Sequence, residues 1–487
     1  MVTNGVESRS TERLELGVVA FLVFAVLAAT AGAAVPWGPV VVTLAVVAAL
    51  SVARFGPTTV LLHALVLSMF FESVAVGSVR IGRVLAAAVV AFLVFRFLLT
   101  GWRPARMPWL AWLPALLFAT WVWASGFWAV STSAWQGYLG ALGLAAAYFL
   151  AFATLVESPA QVRQLLRTYV LGAGLVSIVA LAQAGADVRS VGLQGDPNIF
   201  ALYQVAAIPA AGMLARTASR GWQRAAWLLL LVPLVASVFA AQSRGGLLTL
   251  AIVLPIALFR GDLGRVTRGH AVFSVLATSG VVALLAYIAG RVDERLSLSA
   301  VAQDRGTGRL DIWTVAWQAY VREPLLGLGS GGFEAQSSHL LEVTPGVRID
   351  PNSILLRTGI RVHNMYLENL TDLGPVGLLL WLSVLVGTAV VIVRFGGGAV
   401  GATPTSPLLL MLLAFAIGTV FLSVPNSKLL WMIVGLAAAA ASSRYATARE
   451  AAAPVPRHPV PWTPPDLAST GARNSGDFWG SQRRSIT

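Results

Sequence analysis

The chain has 487 residues, of which 57% are hydrophobic and only 11% are charged, and this composition excludes an ordinary soluble domain. The absence of cysteine excludes disulfides and metal sites built from cysteine. The net charge of +13 comes almost entirely from arginine, and loops that face an anionic membrane leaflet explain it better than nucleic-acid binding does.

Apolar runs without charges follow one another along most of the chain. Each approaches the roughly 20 residues that a bilayer helix needs. The sequence therefore predicts an all-α polytopic membrane protein with about 12–14 transmembrane helices. The first run is long and lacks an obvious cleavage site, so we expect a helix there rather than a signal peptide. The runs lie near 16–35, 37–53, 55–71, 84–100, 107–127, 134–156, 168–186, 197–215, 225–241, 245–259, 271–290, 375–393, 407–424 and 429–443.

Basic residues set the orientation. With the N-terminus in the cytoplasm, short inside loops carry thirteen basic residues and short outside loops carry five. We therefore expect four regions: about eleven transmembrane helices in 1–290, an extracytoplasmic cap loop at 291–362, the C-terminal transmembrane helices in 363–444, and a disordered cytoplasmic tail at 445–487. The tail is rich in Ala, Pro and Ser.

The predicted cap loop contains one helical pattern. Apolar and aromatic residues recur at 310, 313, 317, 320 and 321, which is the spacing of an amphipathic helix. Its tryptophans favour a position along the membrane interface. Glu323-Pro324 should end this helix, and the glycine-rich run 327–332 should turn the chain back.

Arginines on the outer face oppose the charge bias and so need a reason. Arg244 lies between two apolar runs, in Gln242-Ser243-Arg244-Gly245-Gly246, where a guanidinium is costly unless it meets an anion. Arg309 precedes the amphipathic helix and is suited to a second phosphate contact. Either residue could instead be an interfacial or solvated arginine.

Weaker candidates for substrate contact lie close to these positions in the sequence. Three are the basic residues Arg305, Arg361 and Arg189. Asp196 and Asn198 flank a proline at the start of an apolar run, which is a helix-start pattern in its own right, so their role could be structural.

His363 begins a polar stretch that runs directly into an apolar span. A histidine at a membrane boundary is a candidate for general-base catalysis, although a lone histidine more often has a structural role. Asn364 and Asp372 follow it and could orient the ring or the substrate. No group of His, Asp and Glu has convincing metal-ligand spacing, so we expect neither a metal nor another cofactor.

Together these motifs resemble the O-antigen ligase / O-antigen polymerase superfamily of bacterial polysaccharide membrane enzymes. The resemblance covers about 185–395, with the motifs in the expected order. They are Asp196-Pro197-Asn198, Ser243-Arg244-Gly245-Gly246, Gly308-Arg309-Leu310-Asp311, and His363-Asn364 followed by Gly374 and Gly377.

The resemblance implies a glycosyltransferase of the GT-C type in the cytoplasmic membrane, with its active site facing outside. Such an enzyme moves a glycan from an undecaprenyl-pyrophosphate carrier to a glycan or lipid acceptor, without metal and with inversion. It implies that His363 activates the acceptor hydroxyl and that Arg244 and Arg309 bind the pyrophosphate. Membrane lipids would be further partners, and nucleic acid would not.

Several alternatives stay open at this point. Within the superfamily the reaction could be ligation to a lipid, polymerisation of repeat units, or transfer to protein. A transporter or flippase would gather its polar residues at mid-bilayer, whereas this chain gathers them at the outer interface. A non-catalytic scaffold would not require the histidine or the arginines.

Overall fold

A computed structural model describes residues 51–73, 75–76, 79–183, 189–259, 280, 308–347, 359–395, 407–424 and 427–442. Helices dominate this part of the chain, which confirms the predicted all-α class of polytopic membrane protein. One small antiparallel pair, Ala75–Val76 with Val79–Arg80, joins the first two helices described here. The helices are α1 Pro57–Ser68, α2 Ile81–Thr100, α3 Leu113–Ala124, α4 Thr132–Leu155, α5 Pro159–Gln183, α6 Pro197–Thr217, α7 Gly221–Leu229, α8 Leu231–Ala240, α9 Arg244–Phe259, α10 Arg309–Arg322, α11 Gly332–Val343, α12 Met365–Phe395, α13 Leu408–Gly418 and α14 Lys428–Ala440.

Within the described residues, six helical segments are long and apolar enough to cross a membrane. The shorter apolar helices include α1, α9, α13 and α14. The predicted run at 16–35, the run at 37–53 up to residue 50, the run at 271–290 apart from residue 280, and the predicted tail at 445–487 lie outside the described residues. The six segments are Ile81–Thr100, Thr132–Leu155, Pro159–Gln183, Pro197–Thr217, Gly221–Ala240 and Met365–Phe395.

Helix α6 lies at the centre of the bundle and is almost entirely buried. It packs against α5, α7, α8, α9 and α13. Its start follows from the sequence, because Pro197 occupies the first turn and the Asp196 carboxylate accepts hydrogen bonds from two backbone N–H groups, at 2.8 and 2.9 Å. The Tyr169 hydroxyl donates to the Tyr203 carbonyl and ties α5 to α6. The chain around Asp196 therefore leads into a buried helix that packs against five others.

Helix α12 begins at Met365, ten residues before the apolar run that the sequence analysis started near residue 375. Because the first turns of α12 contain polar residues, hydropathy does not identify them as part of the helix. These polar residues are buried against the cap. Gly374 interrupts the helix with φ 68° and ψ −173°, and Pro375 follows it. A side chain at Gly374 would overlap the Leu325 carbonyl group, so the kink is where the cap loop crosses the helix.

Helices α10 and α11 form a second, smaller hydrophobic core with the start of α12. On α10 the buried face includes Ile312, Val315 and Ala319. Leu310, Trp317 and Val321 lie on its exposed face, as expected of a helix that rests on an apolar surface. The predicted helix and its end at Glu323 are confirmed, and its location at the membrane interface stays a prediction.

Candidate functional site

The starts of four helices, α6, α9, α10 and α12, carry the charged residues that the sequence analysis selected. The first two starts are joined directly, because the Ser243 hydroxyl donates to Asn198 Oδ1 at 2.8 Å and accepts from the Gly246 N–H at 3.1 Å. Helix N-termini have a partial positive charge that favours anions. This part of the fold is therefore suited electrostatically to an anionic group.

Arg189 belongs to the same region, although its sequence context made it a weak candidate. Its Nη2 donates to Asn198 Oδ1 and to the Gln242 carbonyl, both at 3.4 Å, and its Nε donates to the Ala241 carbonyl at 3.3 Å. Gln242 has a positive φ of 48°, which is uncommon for a residue other than glycine. These bonds fix the guanidinium of Arg189 beside the turn that leads into Arg244.

Arg309, Arg189 and Arg244 share one electrostatic environment, which we call the arginine cluster. Burial lowers the pKa of Arg309, the charges of Arg189 and Arg244 lower it further, and Asp196 opposes them. Arginine remains protonated at physiological pH even after such a shift. The cluster brings three guanidinium groups together, and a bound polyanion would offset their positive charge.

His363 lies next to this cluster in a constrained backbone conformation. Its φ is 54°, in the left-handed region, and its neighbours are fixed on both sides. Trp313 Nε1 donates to the Val362 carbonyl at 3.1 Å, and Asn364 Oδ1 accepts from the N–H groups of Tyr366 and Leu367 at 3.0 and 3.1 Å. Asn364 therefore caps α12, and through that cap it sets where the histidine lies.

The electrostatic surroundings of His363 favour the neutral imidazole. Burial lowers its pKa below the ordinary value of 6.5, and the charge of Arg309 adds to the effect. Asp196 and Glu334 act in the opposite direction, and Arg361 acts in the same direction as Arg309. A neutral ring at physiological pH can accept a proton, as a general base must.

Arg361, predicted as a substrate-binding residue, contacts one carboxylate and one backbone carbonyl of the protein. Its Nε donates to Glu334 Oε2 at 2.9 Å, and its Nη1 donates to the Ser423 carbonyl at 3.5 Å. Burial tends to lower the pKa of Arg361, but Glu368 and Glu334 raise it overall. This arginine is therefore already paired, and it joins α11 to the segment that carries His363.

Asp372, predicted as a possible orienting group, has both carboxylate oxygens bound to the start of α11. Its Oδ2 accepts from the Gly331 N–H and its Oδ1 accepts from the Phe333 N–H, each at 2.8 Å. The side chain is buried, and these contacts favour a structural role over contact with the histidine or the substrate. The carboxylate anchors the glycine-rich loop to α12.

The remaining predicted residues form structural contacts, contribute to the arginine cluster, or do both. Asp196 caps α6 while adding a negative charge beside the cluster, and Asn198 links Arg189 to Ser243. Arg305 lies outside the described residues. Among the described residues, no group of three or more His, Asp or Glu side chains could hold a metal ion, and metal independence stays a prediction.

Two features of the site could not be selected from the sequence. Glu334 gave no signal, because its pairing with Arg361 spans 27 residues and depends on the tertiary fold. The packing role of the glycines after Arg244 is the second feature. A side chain at Gly246 would collide with Ala201 of α6, and one at Gly245 would press on Phe421. These glycines allow close helix packing.

Comparison with known families agrees with this geometry. Residues 228–382 match the family model described as O-Antigen ligase. This match supports the O-antigen ligase/polymerase superfamily for the chain. The matched O-antigen ligase segment contains Arg244, Arg309 and His363, whereas Arg189 and Asp196 precede it. A search of the curated proteins found no match.

The match supports a general role in glycan transfer like that of O-antigen ligases, and the apolar helices indicate a multi-pass membrane protein. It also indicates a lipid-linked glycan and an acceptor as its partners in general terms. The arginine cluster and His363 are the described groups whose chemistry fits such a reaction.

Proposed function

We propose that the protein transfers a glycan from an undecaprenyl-pyrophosphate carrier to an acceptor hydroxyl on the outer face of the cytoplasmic membrane. The observation that carries this proposal is a half-buried histidine, its pKa lowered by burial and by the charge of Arg309, beside a cluster of three arginines. A base beside a polycationic site is the pairing that this reaction requires, because it needs both a proton acceptor and a stabilised leaving group.

In the proposed reaction, His363 takes the proton from the acceptor hydroxyl while the oxygen attacks the anomeric carbon. The bond between that carbon and the phosphate oxygen breaks, and the electron pair leaves with the pyrophosphate. Arg309, Arg244 and Arg189 stabilise the negative charge that grows on the leaving group. Attack opposite the leaving group inverts the anomeric centre. No step in this sequence calls for a metal ion.

The distribution of charged groups favours an enzyme over a transporter. Transporters commonly place their ionisable groups near mid-bilayer. Here Arg244, Arg309 and His363 lie at helix starts, and Arg189 lies in the loop before α6. His63, which lies within α1, has its Nδ1 hydrogen-bonded to the Thr168 hydroxyl at 2.7 Å, and this contact favours a structural role. Ligation to lipid, polymerisation and transfer to protein remain three forms of the same proposed chemistry.

The pyrophosphate role is tested by replacing Arg309 or Arg244 with Ala and with Lys in the purified full chain. Binding of a lipid-pyrophosphate glycan should weaken in both Ala variants and recover only partly in the Lys variants, because an ammonium lacks the two-pronged contact. Arg394→Ala is the matched control, since this exposed arginine lies in the last turn of α12. Unchanged donor binding in both Ala variants would remove the arginines from the mechanism.

The outward orientation is tested separately. A reporter that is active only after export, inserted near residue 340 in α11, should be active. Activity of a cytoplasmic reporter at that position would overturn the orientation, and with it the proposed side of the reaction.

A further inference from the structure

A cavity of ≈ 470 Å³ lies at the far end of α10 from the arginine cluster. It is bounded by the end of α10, the loop that follows it, α11, and the turn between α3 and α4. Ligand sites of small-molecule size typically have volumes of about 300–1,000 Å³. The cavity is therefore large enough for a sugar ring and its substituents.

Four polar side chains line this cavity: Arg322, Glu323, Gln336 and His339. In the part of the chain that the structure describes, none of these side chains forms a hydrogen bond or an ion pair. Guanidinium, carboxylate, amide and imidazole groups together offer both donors and acceptors. The cavity can therefore satisfy a ligand that also carries both, as adjacent hydroxyl groups do.

Trp128 adds an aromatic surface that is held in place. Its Nε1 donates to the Leu326 carbonyl at 3.0 Å, and its ring packs against Trp121 with the centroids 5.3 Å apart. Because the indole N–H is already used, the ring surface is what Trp128 offers to a ligand in the cavity. The electron-rich face of an aromatic ring attracts weakly positive C–H groups, such as those on the apolar face of a sugar.

This composition selects against other ligands. A phosphate or nucleotide would meet the Glu323 carboxylate, and a lipid chain would bury four polar groups without partners. A hydroxyl-rich ring with one apolar face uses both the tryptophan and the polar set. Carbohydrate is the class of ligand that this cavity fits best.

The cavity is connected to the proposed reaction centre by two helices. Helix α10 runs from Arg309 to Arg322, a length of about 20 Å at 1.5 Å per residue. On α11, Gln336 is two residues from Glu334, which is paired with Arg361 beside His363. We propose that this cavity is a carbohydrate subsite that holds the glycan of a substrate away from the bond that reacts. This inference rests on the proposed function.

The test uses the purified full chain and a probe without pyrophosphate, namely the soluble glycan released by mild acid from the lipid-linked pool of the producing cells. Wild type should bind this probe, and the Gln336→Ala/His339→Ala double variant should bind it about tenfold more weakly, as expected for two lost hydrogen bonds. Glu342→Ala, an exposed residue of α11 that does not line the cavity, should bind like wild type. Equal binding by wild type and the double variant, or no binding by wild type, would overturn the subsite.

Transfer kinetics then distinguish the two sources of the glycan. If the subsite holds the donor glycan, the double variant raises KM for the lipid-linked donor alone; if it holds the acceptor, KM for the acceptor rises instead. Either shift supports the subsite. Binding of the released glycan by a wild-type protein that shows no transfer would contradict the proposed function and leave the subsite standing. Active transfer together with unaltered glycan binding in the double variant would contradict the subsite and leave the proposed function standing.

Discussion

Replacing Asp372 separates a structural role from a catalytic one. Its buried carboxylate accepts the N–H groups of Gly331 and Phe333, both at 2.8 Å. Asp372→Ala leaves both donors without their acceptor, at about 1–3 kcal/mol each, so the free energy of unfolding should fall by about 2–6 kcal/mol. Asp372→Asn keeps one acceptor oxygen and should lose about half as much.

The assay is unfolding in detergent followed by circular dichroism, combined with the transfer rate per folded molecule. Both variants should unfold at lower temperature, Ala more than Asn, and folded Asp372→Asn should transfer glycan at nearly the wild-type rate. Glu342→Ala controls for the loss of an exposed carboxylate and should change neither quantity. If Asp372→Asn unfolds like wild type but loses about 10²-fold or more in rate, the carboxylate takes part in the chemistry and the structural assignment is refuted.

Three further outcomes are expected from other parts of the structure. Gly374→Ala should sharply lower the yield of folded protein, because φ is 68° and the new Cβ would overlap the backbone of the cap loop. Gly137→Ala, in open space on α4, should be tolerated. Equal yields of the two variants would contradict the kink. Lys428→Met should lower the free energy of unfolding by about 3–5 kcal/mol, because it leaves Glu72, the ion-pair partner of Lys428 at 2.8 Å, without its partner. A second change, Glu72→Gln, should restore much of the loss. Additive losses would contradict the coupling between the two residues. Because burial lowers the pKa of His363 and the neutral ring is required, the transfer rate should rise with pH to a plateau whose midpoint lies below 6.5, and a midpoint above that value would contradict the assignment.

The sequence was most informative where local rules decide the structure. Asp196 before a proline predicts a helix start, and both side-chain cap bonds are present. The periodic apolar residues at 310–321 predicted α10, and arginines that oppose the charge bias predicted a basic cluster. In each case the determining interactions lie within a few residues or follow from the cost of charge near a membrane.

Long-range pairing explains what the sequence could not supply. Asp372 is a side chain of the type that takes part in catalysis. Only its hydrogen bonds to residues 39 and 41 positions away indicate a structural role. The sequence predicts substrate contact for Arg361 but does not reveal that Glu334 lies beside it. The sequence does not predict the sugar-sized cavity either, because its walls come from three separate segments of the chain.

The central claim is that His363 accepts the proton of the acceptor hydroxyl beside a pyrophosphate held by arginines. The most direct measurement is the initial rate of glycan transfer by purified wild type and His363→Ala from a lipid-pyrophosphate donor, with donor binding measured in parallel. The account predicts that the rate falls by about 10²- to 10⁴-fold while donor affinity is retained. A His363→Ala variant with a nearly wild-type rate would contradict it.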